Sequence, residues 1–294
     1  MKTHGKYDYR GFLYILPWLA GFLVLQLVPL VNSFRYSFTD FQLLGDPKFV
    51  GLANYRRVFT TDSTFRMSLL VTFKYVFIAV PCKILFALVI AMILNQNLKA
   101  INVFRTLYYI PSILGGSVAI SVLWKYLFMD SGVFNTMLRF FRLPTHNWLG
   151  DPHLALGTIA LVTVWQFGSS MLLFLAGLKQ IPECLYEAAE LDGSGKLRTF
   201  FAITLPELSP IVLFNLIMQM INAFQEFTAA YVITQGGPLK STYLYGMMLY
   251  EQGFKYFKMG YASALSWILF AIILGFTALT FKSSQSWVHY GDSV

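Results

Sequence analysis

Four polar side chains recur inside one otherwise apolar run: Asn215, Gln219, Asn222 and Glu226, at spacings of four, three and four. On a helix those spacings set them along one narrow stripe. Amides donate and accept hydrogen bonds and a carboxylate accepts them. The stripe therefore suits the holding of a polyhydroxylated solute, with Phe224 and Phe227 close by to pack against a sugar ring. Trp165 and Gln166 form a second aromatic and amide pair in the preceding apolar run. Hydrogen bonding between helices is the alternative role for these residues. Solute contact is the expectation carried forward, because polar groups inside apolar spans mark pathways by default. Lys83 and Glu226 are deep charges at different depths, offset by roughly 13 Å along the spans. For Lys83 a water-filled cavity or a neighbouring subunit is expected in place of a mutual ion pair.

Chemistry of other kinds finds no residues to carry it. The two cysteines, Cys82 and Cys184, lie far apart, and the four histidines (His4, His146, His153, His289) form no metal-binding spacing. A phosphate-binding loop GxxxxGK[ST] is missing. Gly195-Lys196 is the nearest fragment, and it lacks both the upstream glycine and the Ser/Thr. The chain is thus expected to be neither a metalloenzyme nor an ATPase. Its net charge of +8 comes from scattered basic residues with no stripe, which argues against nucleic acid and for anionic lipid headgroups.

The elements that must position the polar stripe follow from composition. Hydrophobic residues make up 56% of the 294 and charged residues 12%, about half of what a soluble domain carries. The apolar residues fall into six blocks long enough to cross a bilayer, at about 20 residues each. They are Phe12–Phe34, Ser68–Leu94, Phe104–Phe128, His153–Leu178, Pro210–Val232 and Tyr261–Phe281. The expected fold is all-α: a polytopic membrane protein with six transmembrane helices in one domain over residues 1–294, without internal repeat. Pro17, Pro29, Pro81 and Pro111 do not disqualify their spans, since packed neighbours can satisfy the freed carbonyls. The run from Gly11 to Val31 is longer than a signal-peptide core and no small-x-small site follows, so it reads as a retained first span. Nine basic residues fall on one side of the six-span arrangement and ten on the other, so the positive-inside count does not orient it. Lys2, Lys6 and Arg10 before the first span mildly favour a cytoplasmic amino end.

Between the fourth and fifth spans lies a polar stretch, Ile181 to Pro210. Pro182 suits a first helical turn, Gly193 a helix stop, and Ser194 the cap of a second short helix running to about Thr204. Ser209 and Pro210 read as cap and first-turn proline of span five. The result is a helix-turn-helix over 181–206, too polar to enter the membrane. Small Ala188 and Ala189 permit close approach by another protein, and Glu183, Glu187, Glu190 and Asp192 make the first helix acidic.

These residues resemble the EAA loop of binding-protein-dependent ABC importers. The pattern Glu-Ala-Ala, three residues, Gly, nine residues, Ile-x-Leu-Pro is met by Glu187, Ala188, Ala189, Gly193, Ile203, Leu205 and Pro206 without departure. The resemblance implies that these residues and Asp192 seat in a cleft of a separate ATP-binding subunit, which holds ATP and Mg; no cofactor is implied for this chain. It also implies a cytoplasmic loop, both termini inside, and a bacterial or archaeal cell (inner) membrane. The partners implied are a second permease, two ATP-binding subunits and an extracellular solute-binding protein. Phe49-Val50-Gly51-Leu52-Ala53-Asn54-Tyr55 and Thr234-Gln235-Gly236-Gly237-Pro238 resemble the carbohydrate-uptake branch, relatives of the maltose and glycerol-3-phosphate membrane subunits, and imply a sugar as solute. A secondary transporter would usually show repeats and functional intramembrane acids, and a channel a filter loop or charged rings. Only Glu226 meets any of these.

Overall fold

A computed structural model describes residues 10–43, 45–96 and 101–289, with side chains from Tyr14 onward. The basic residues Lys2, Lys6 and Lys99, used above for orientation, lie outside the described residues. Apart from an isolated bridge between Thr39 and Phe49, the described residues contain helices and turns and no strand. In chain order the helices are α1 (Tyr14–Tyr36), α2 (Ala53–Thr60), α3 (Ser63–Leu94), α4 (Ile101–Leu114), α5 (Val118–Phe128), α6 (Val133–Phe140), α7 (Ala155–Trp165) and α8 (Gly168–Leu178). They continue as α9 (Glu183–Leu191), α10 (Lys196–Glu207), α11 (Ser209–Phe224), α12 (Thr228–Ile233), α13 (Tyr245–Tyr250) and α14 (Met259–Ser284).

Among the described residues α1, α3 and α14 are each long and apolar enough to cross a membrane. The remaining apolar blocks are not single straight helices. The block at 104–128 becomes α4 and α5, with a bend of 102° between α4 and the α5–α6 stretch. The block at 153–178 becomes α7 and α8, bent by 49°, and α10 meets the α11–α12 stretch at 67°. Counting each bent pair as one span gives up to six.

The helices accommodate their prolines, α10 running past Pro206 to Glu207, and two positions show how. Pro29 and Pro206 each follow a π-helical turn, Leu23–Leu27 and Phe200–Thr204. In each turn an N–H reaches back five residues, Val28 to Leu23 O and Leu205 to Phe200 O. Proline removes one i→i−4 bond and crowds a carbonyl, and a widened turn just before it relieves both. The helices run through Pro17, Pro81 and Pro111 without a break.

Two compact units make up the chain. One comprises Met1–Asp62 and Leu249–Phe270. In it the loop after α1 is pinned to α2: the Asn54 amide donates to the carbonyls of Ser37 and Thr39, both at 2.8 Å, and the Tyr55 hydroxyl donates to Ser37 Oγ. The Gly51 turn (φ +59°) makes room for this return. The same loop is fixed to the start of α14 by Gly260 N–H donating to Phe41 O at 2.9 Å. A Cβ at Gly260 would collide with the Thr39 carbonyl, so the close approach requires glycine.

The other unit comprises Ser63–Met248 and Ala271–Val294. Its centre is α3, which packs along α7, α8 and α11. The buried stripe of α3 recurs every three or four residues and is rich in small side chains (Ala79, Ala87, Ala91), which lets the backbones approach. The opposite face exposes Leu70, Phe77, Ile78, Leu85 and Val89, as a lipid-facing or subunit-facing surface does. Hydrogen bonds cross this core: Tyr75 Oη and Thr163 Oγ1 lie 2.6 Å apart.

Candidate functional site

The polar stretch between the fourth and fifth apolar blocks forms a helical hairpin, α9 and α10. The turn between them closes as a Schellman motif. Gly193 lies at φ +70°, its N–H donates to Glu190 O at 3.0 Å, and Ser194 N–H donates to Ala189 O at 2.8 Å. These bonds satisfy carbonyls that the helix end would orphan. Pro182 immediately precedes α9, as N-cap. Two expected caps form differently. Gly195, not Ser194, is the N-cap of α10, and Ser194 instead accepts a hydrogen bond from Thr199 Oγ1. Ser209 is the first residue of α11 and does not cap it: its hydroxyl donates to Pro206 O and accepts from His289 N–H.

Glu187, Ala188, Asp192 and Gly193 are exposed, Ala189 is buried, and Ile203, Leu205 and Pro206 are half-buried. Tyr186 Oη, 3.1 Å from Thr204 Oγ1, ties the two helices. Between them opens a cleft of about 330 Å³ lined by Leu185, Ala188, Ala189, Asp192, Arg198 and Ile203. Around it three large apolar side chains face solvent: Leu191, Leu197 and Phe201, at 90%, 77% and 64% exposure. They leave apolar side chains uncovered on an otherwise polar hairpin.

The polar stripe is shorter than its spacing suggested. The helix stops at Phe224, and Gln225 to Phe227 form a break before α12. Glu226 therefore leaves the stripe and lies in the break, where its carboxylate accepts the Ala229 N–H at 3.0 Å. An anion there satisfies donors at the start of α12. Asn215 is fully buried, with its amide N–H donating to Ile211 O and its carbonyl oxygen unpartnered. Gln219 donates to Ser170 Oγ on α8 at 3.2 Å. Asn222 is exposed, and among the described residues its amide has no partner.

Trp165 and Gln166 lie at the end of α7, beside the break to α8. The Trp165 ring meets Trp124 edge-on at 5.8 Å. The Gln166 side chain fills the space over Gly115, and a Cβ there would have to displace it. Ser112, which sequence reasoning passed over, holds the break: its hydroxyl donates to Gln166 O and accepts from Ser169 N–H, both at 3.0 Å. Gly168 is just as necessary, since a Cβ there would press on the Tyr108 carbonyl. The Gly115-Gly116 pair and Gly168 were the available signals. Lys83 is 7% exposed on the inward stripe of α3 and, among the described residues, makes no ion pair with Glu226. A cleft of about 630 Å³ lies along Leu70–Ile78 of α3 beside Pro152 and His153, and none of these polar residues lines it.

Known proteins resemble the chain throughout this arrangement. Residues 58–287 match the family described as binding-protein-dependent transport system inner membrane component. The probable ABC transporter permease protein YesP of Bacillus subtilis (strain 168) is 47% identical over 288 residues, covering 97% of this chain and 93% of that protein. The trehalose/maltose transport system permease protein MalF of Thermococcus litoralis is 35% identical over 287 residues, 94% of this chain and 95% of its own. The arabinooligosaccharides transport system permease protein AraP of Bacillus subtilis is 33% identical over 282 residues, covering 94% and 88%. A chain of a bacterial alginate ABC transporter, solved with an alginate pentasaccharide-bound periplasmic protein, superposes with a TM-score of 0.82 over 97% of this chain and 96% of its own. At 18% identity that likeness is one of fold. Since the family match takes in both the α9–α10 hairpin and the broken helices, the chain belongs to the binding-protein-dependent transport system inner membrane components.

Proposed function

We propose that the chain is a transmembrane permease subunit of an ATP-binding-cassette importer. Each bent helix pair counts as one span, giving six, with both termini cytoplasmic in a bacterial or archaeal cell membrane. A second permease completes the pathway, two ATP-binding subunits drive it, and an extracellular binding protein delivers the solute. The observation that carries this reading is the α9–α10 hairpin. It holds the Glu187–Pro206 pattern around a preformed glycine turn, with Leu191, Leu197 and Phe201 uncovered. The hairpin docks on the ATP-binding subunit through Glu187, Ala188, Ala189, Asp192, Gly193, Ile203, Leu205 and Pro206. ATP and Mg belong to that subunit; this chain is non-catalytic and carries no cofactor.

Its solute is a sugar or oligosaccharide. The names of MalF and AraP support this, as does the amide and aromatic character of the pathway residues. Asn222, with its free amide, and Glu226 in the helix break are the groups best placed for solute contact. Trp165 and Gln166 stand at the α7–α8 break, and Gln219 and Asn215 complete the lining with amides partly engaged by protein. The test is purification of the chain from its native membrane. The expected result is co-purification of an ATP-binding subunit and sugar uptake into proteoliposomes that requires ATP hydrolysis and the binding protein. Uptake by the chain alone, or driven by an ion gradient, refutes the reading.

A further inference from the structure

In the unit formed by α1, α2 and the start of α14, a small cleft of about 120 Å³ opens at the ends of the long helices. It is lined by Asp40, Phe41, Gln42, Asn54, Arg57, Lys258 and Tyr261. Most of its polar groups are already committed. The Asn54 amide N–H groups are taken by two carbonyls, and Asp40 Oδ1 accepts the Lys48 N–H at 3.0 Å. The Tyr261 hydroxyl donates to Asp62 Oδ2 at 2.6 Å. Two cations remain. The Arg57 guanidinium lies over the Tyr261 ring, 4.6 Å from its centroid, and the Lys258 ammonium is 6.0 Å from the Tyr256 ring. Among the described residues neither has a carboxylate within ion-pair distance.

Stacking on an aromatic face fixes a guanidinium and leaves its N–H edge for a planar, two-point bond. Because Tyr261 is held by Asp62, and the loop is clamped by Gly260 and Asn54, the socket exists before anything binds. Beside it Phe49 and Leu52 stand in the loop before α2, outside the long apolar helices, at 80% and 67% exposure. Exposed apolar side chains flanking a desolvatable, aromatic-backed arginine have the make-up of a protein contact.

We propose that this cleft is the socket for a carboxylate side chain of the extracellular binding protein, gripped by Arg57 and Lys258. The proposal rests on the importer reading above, which places the ends of α1 and α14 at this cleft on the outer side. Lipid phosphate is the competing anion. A membrane-seated anion is a poor match for a socket whose rim also carries the Asp40 carboxylate, whereas a protein partner can direct one carboxylate past it.

The experiment uses the whole importer in nanodiscs of zwitterionic lipid only, titrated with the solute-binding protein that supports its uptake, at low and high salt. Arg57→Gln and Lys258→Gln are each expected to weaken binding about tenfold at low salt and to flatten its salt dependence. Arg57→Lys should lose less, and hydrolysis of ATP without binding protein should stay at the wild-type rate, which shows that the complex is intact. Exchange of one acidic residue of the binding protein for lysine should restore binding to Arg57→Glu. Wild-type affinity and salt slope in both glutamine variants overturn the proposal. So does an effect that appears only when anionic lipid is added, since the socket then holds a headgroup. If no binding protein engages the wild-type complex, the importer reading fails with it; wild-type engagement with indifferent variants refutes the socket alone.

Discussion

Replacement of Gly193 gives the sharpest test of the hairpin, because the structure separates backbone strain from steric conflict. Gly193 lies at φ +70°, yet a Cβ built there meets no heavy atom within 4 Å. Any cost of substitution is thus conformational. A left-handed residue costs an L-amino acid roughly 1–2 kcal/mol. Alanine should cost about 1 kcal/mol, valine about 2 kcal/mol, and asparagine least, since its side chain tolerates this region. If the strain opens the turn, it breaks the bonds from Ser194 N–H to Ala189 O and from Gly193 N–H to Glu190 O. The dock-competent hairpin is then depleted about fivefold in Gly193→Ala and about thirtyfold in Gly193→Val. The assay is affinity for the ATP-binding subunit, read beside ATP-dependent uptake in proteoliposomes. Both should fall in the order Gly, Asn, Ala, Val, while binding of the solute-laden binding protein at the outer face is unchanged. Normal coupling in Gly193→Val refutes the assignment of this turn to the dock. Loss that tracks side-chain size in place of backbone preference refutes the strain argument.

Other consequences are testable with single substitutions. In a background without Cys82 and Cys184, cysteines at Thr61 and Lys240 should react with an impermeant thiol reagent added outside, and one at Lys196 should not; the reverse pattern overturns the orientation. Ser112→Ala removes two hydrogen bonds at the α7–α8 break and should destabilise the detergent-solubilised protein by about 1–3 kcal/mol, seen as a lower unfolding temperature; an unchanged temperature means the break holds without it. Asn222→Ala should weaken apparent affinity by up to about tenfold in a way that differs between two sugars. Gln219→Ala, which loses the bond to Ser170, should lower the amount of assembled complex for both sugars alike. Equal behaviour of the two variants removes the distinction drawn between them.

Much of the architecture was legible because membrane spans are long and apolar, a signal that survives without knowledge of packing. The stop at Gly193 was legible for a similar reason: a glycine after an acidic amphipathic stretch has few other uses. The helix breaks were harder to see. Gly115-Gly116 and Gly168 resemble the small residues that any close-packed span contains. The break after Phe224 contains no glycine or proline at all: Gln225, Glu226 and Phe227 leave the helix with the Glu226 carboxylate supplying the lost partner. Periodicity treats 215–226 as one continuous helix, and so it carried Glu226 along the stripe. The caps expected at Ser194 and Ser209 failed because serine hydroxyls found other partners nearby, Thr199 in one case and Pro206 with His289 in the other.

The breaks also bear on where a solute can travel. A span that stays helical leaves no backbone group to satisfy, whereas on the proposed six-span reading each break places N–H and C=O groups where lipid offers no partner. Such backbone is tolerated only inside protein or along a water-filled cavity. In the unit built on α3, side chains close part of this deficit: Ser112 bridges Gln166 and Ser169, and Glu226 caps α12. Two polar residues predicted as pathway-lining from their types, Gln166 and Glu226, lie at the α7–α8 and α11–α12 breaks. Broken helices beside intramembrane amides and a carboxylate are the arrangement by which transporters expose hydrogen-bonding groups at mid-membrane. On the importer reading proposed above, Gln166, Asn222 and Glu226 are the groups to test for solute contact, whereas Asn215 and Gln219 have amides already engaged by protein.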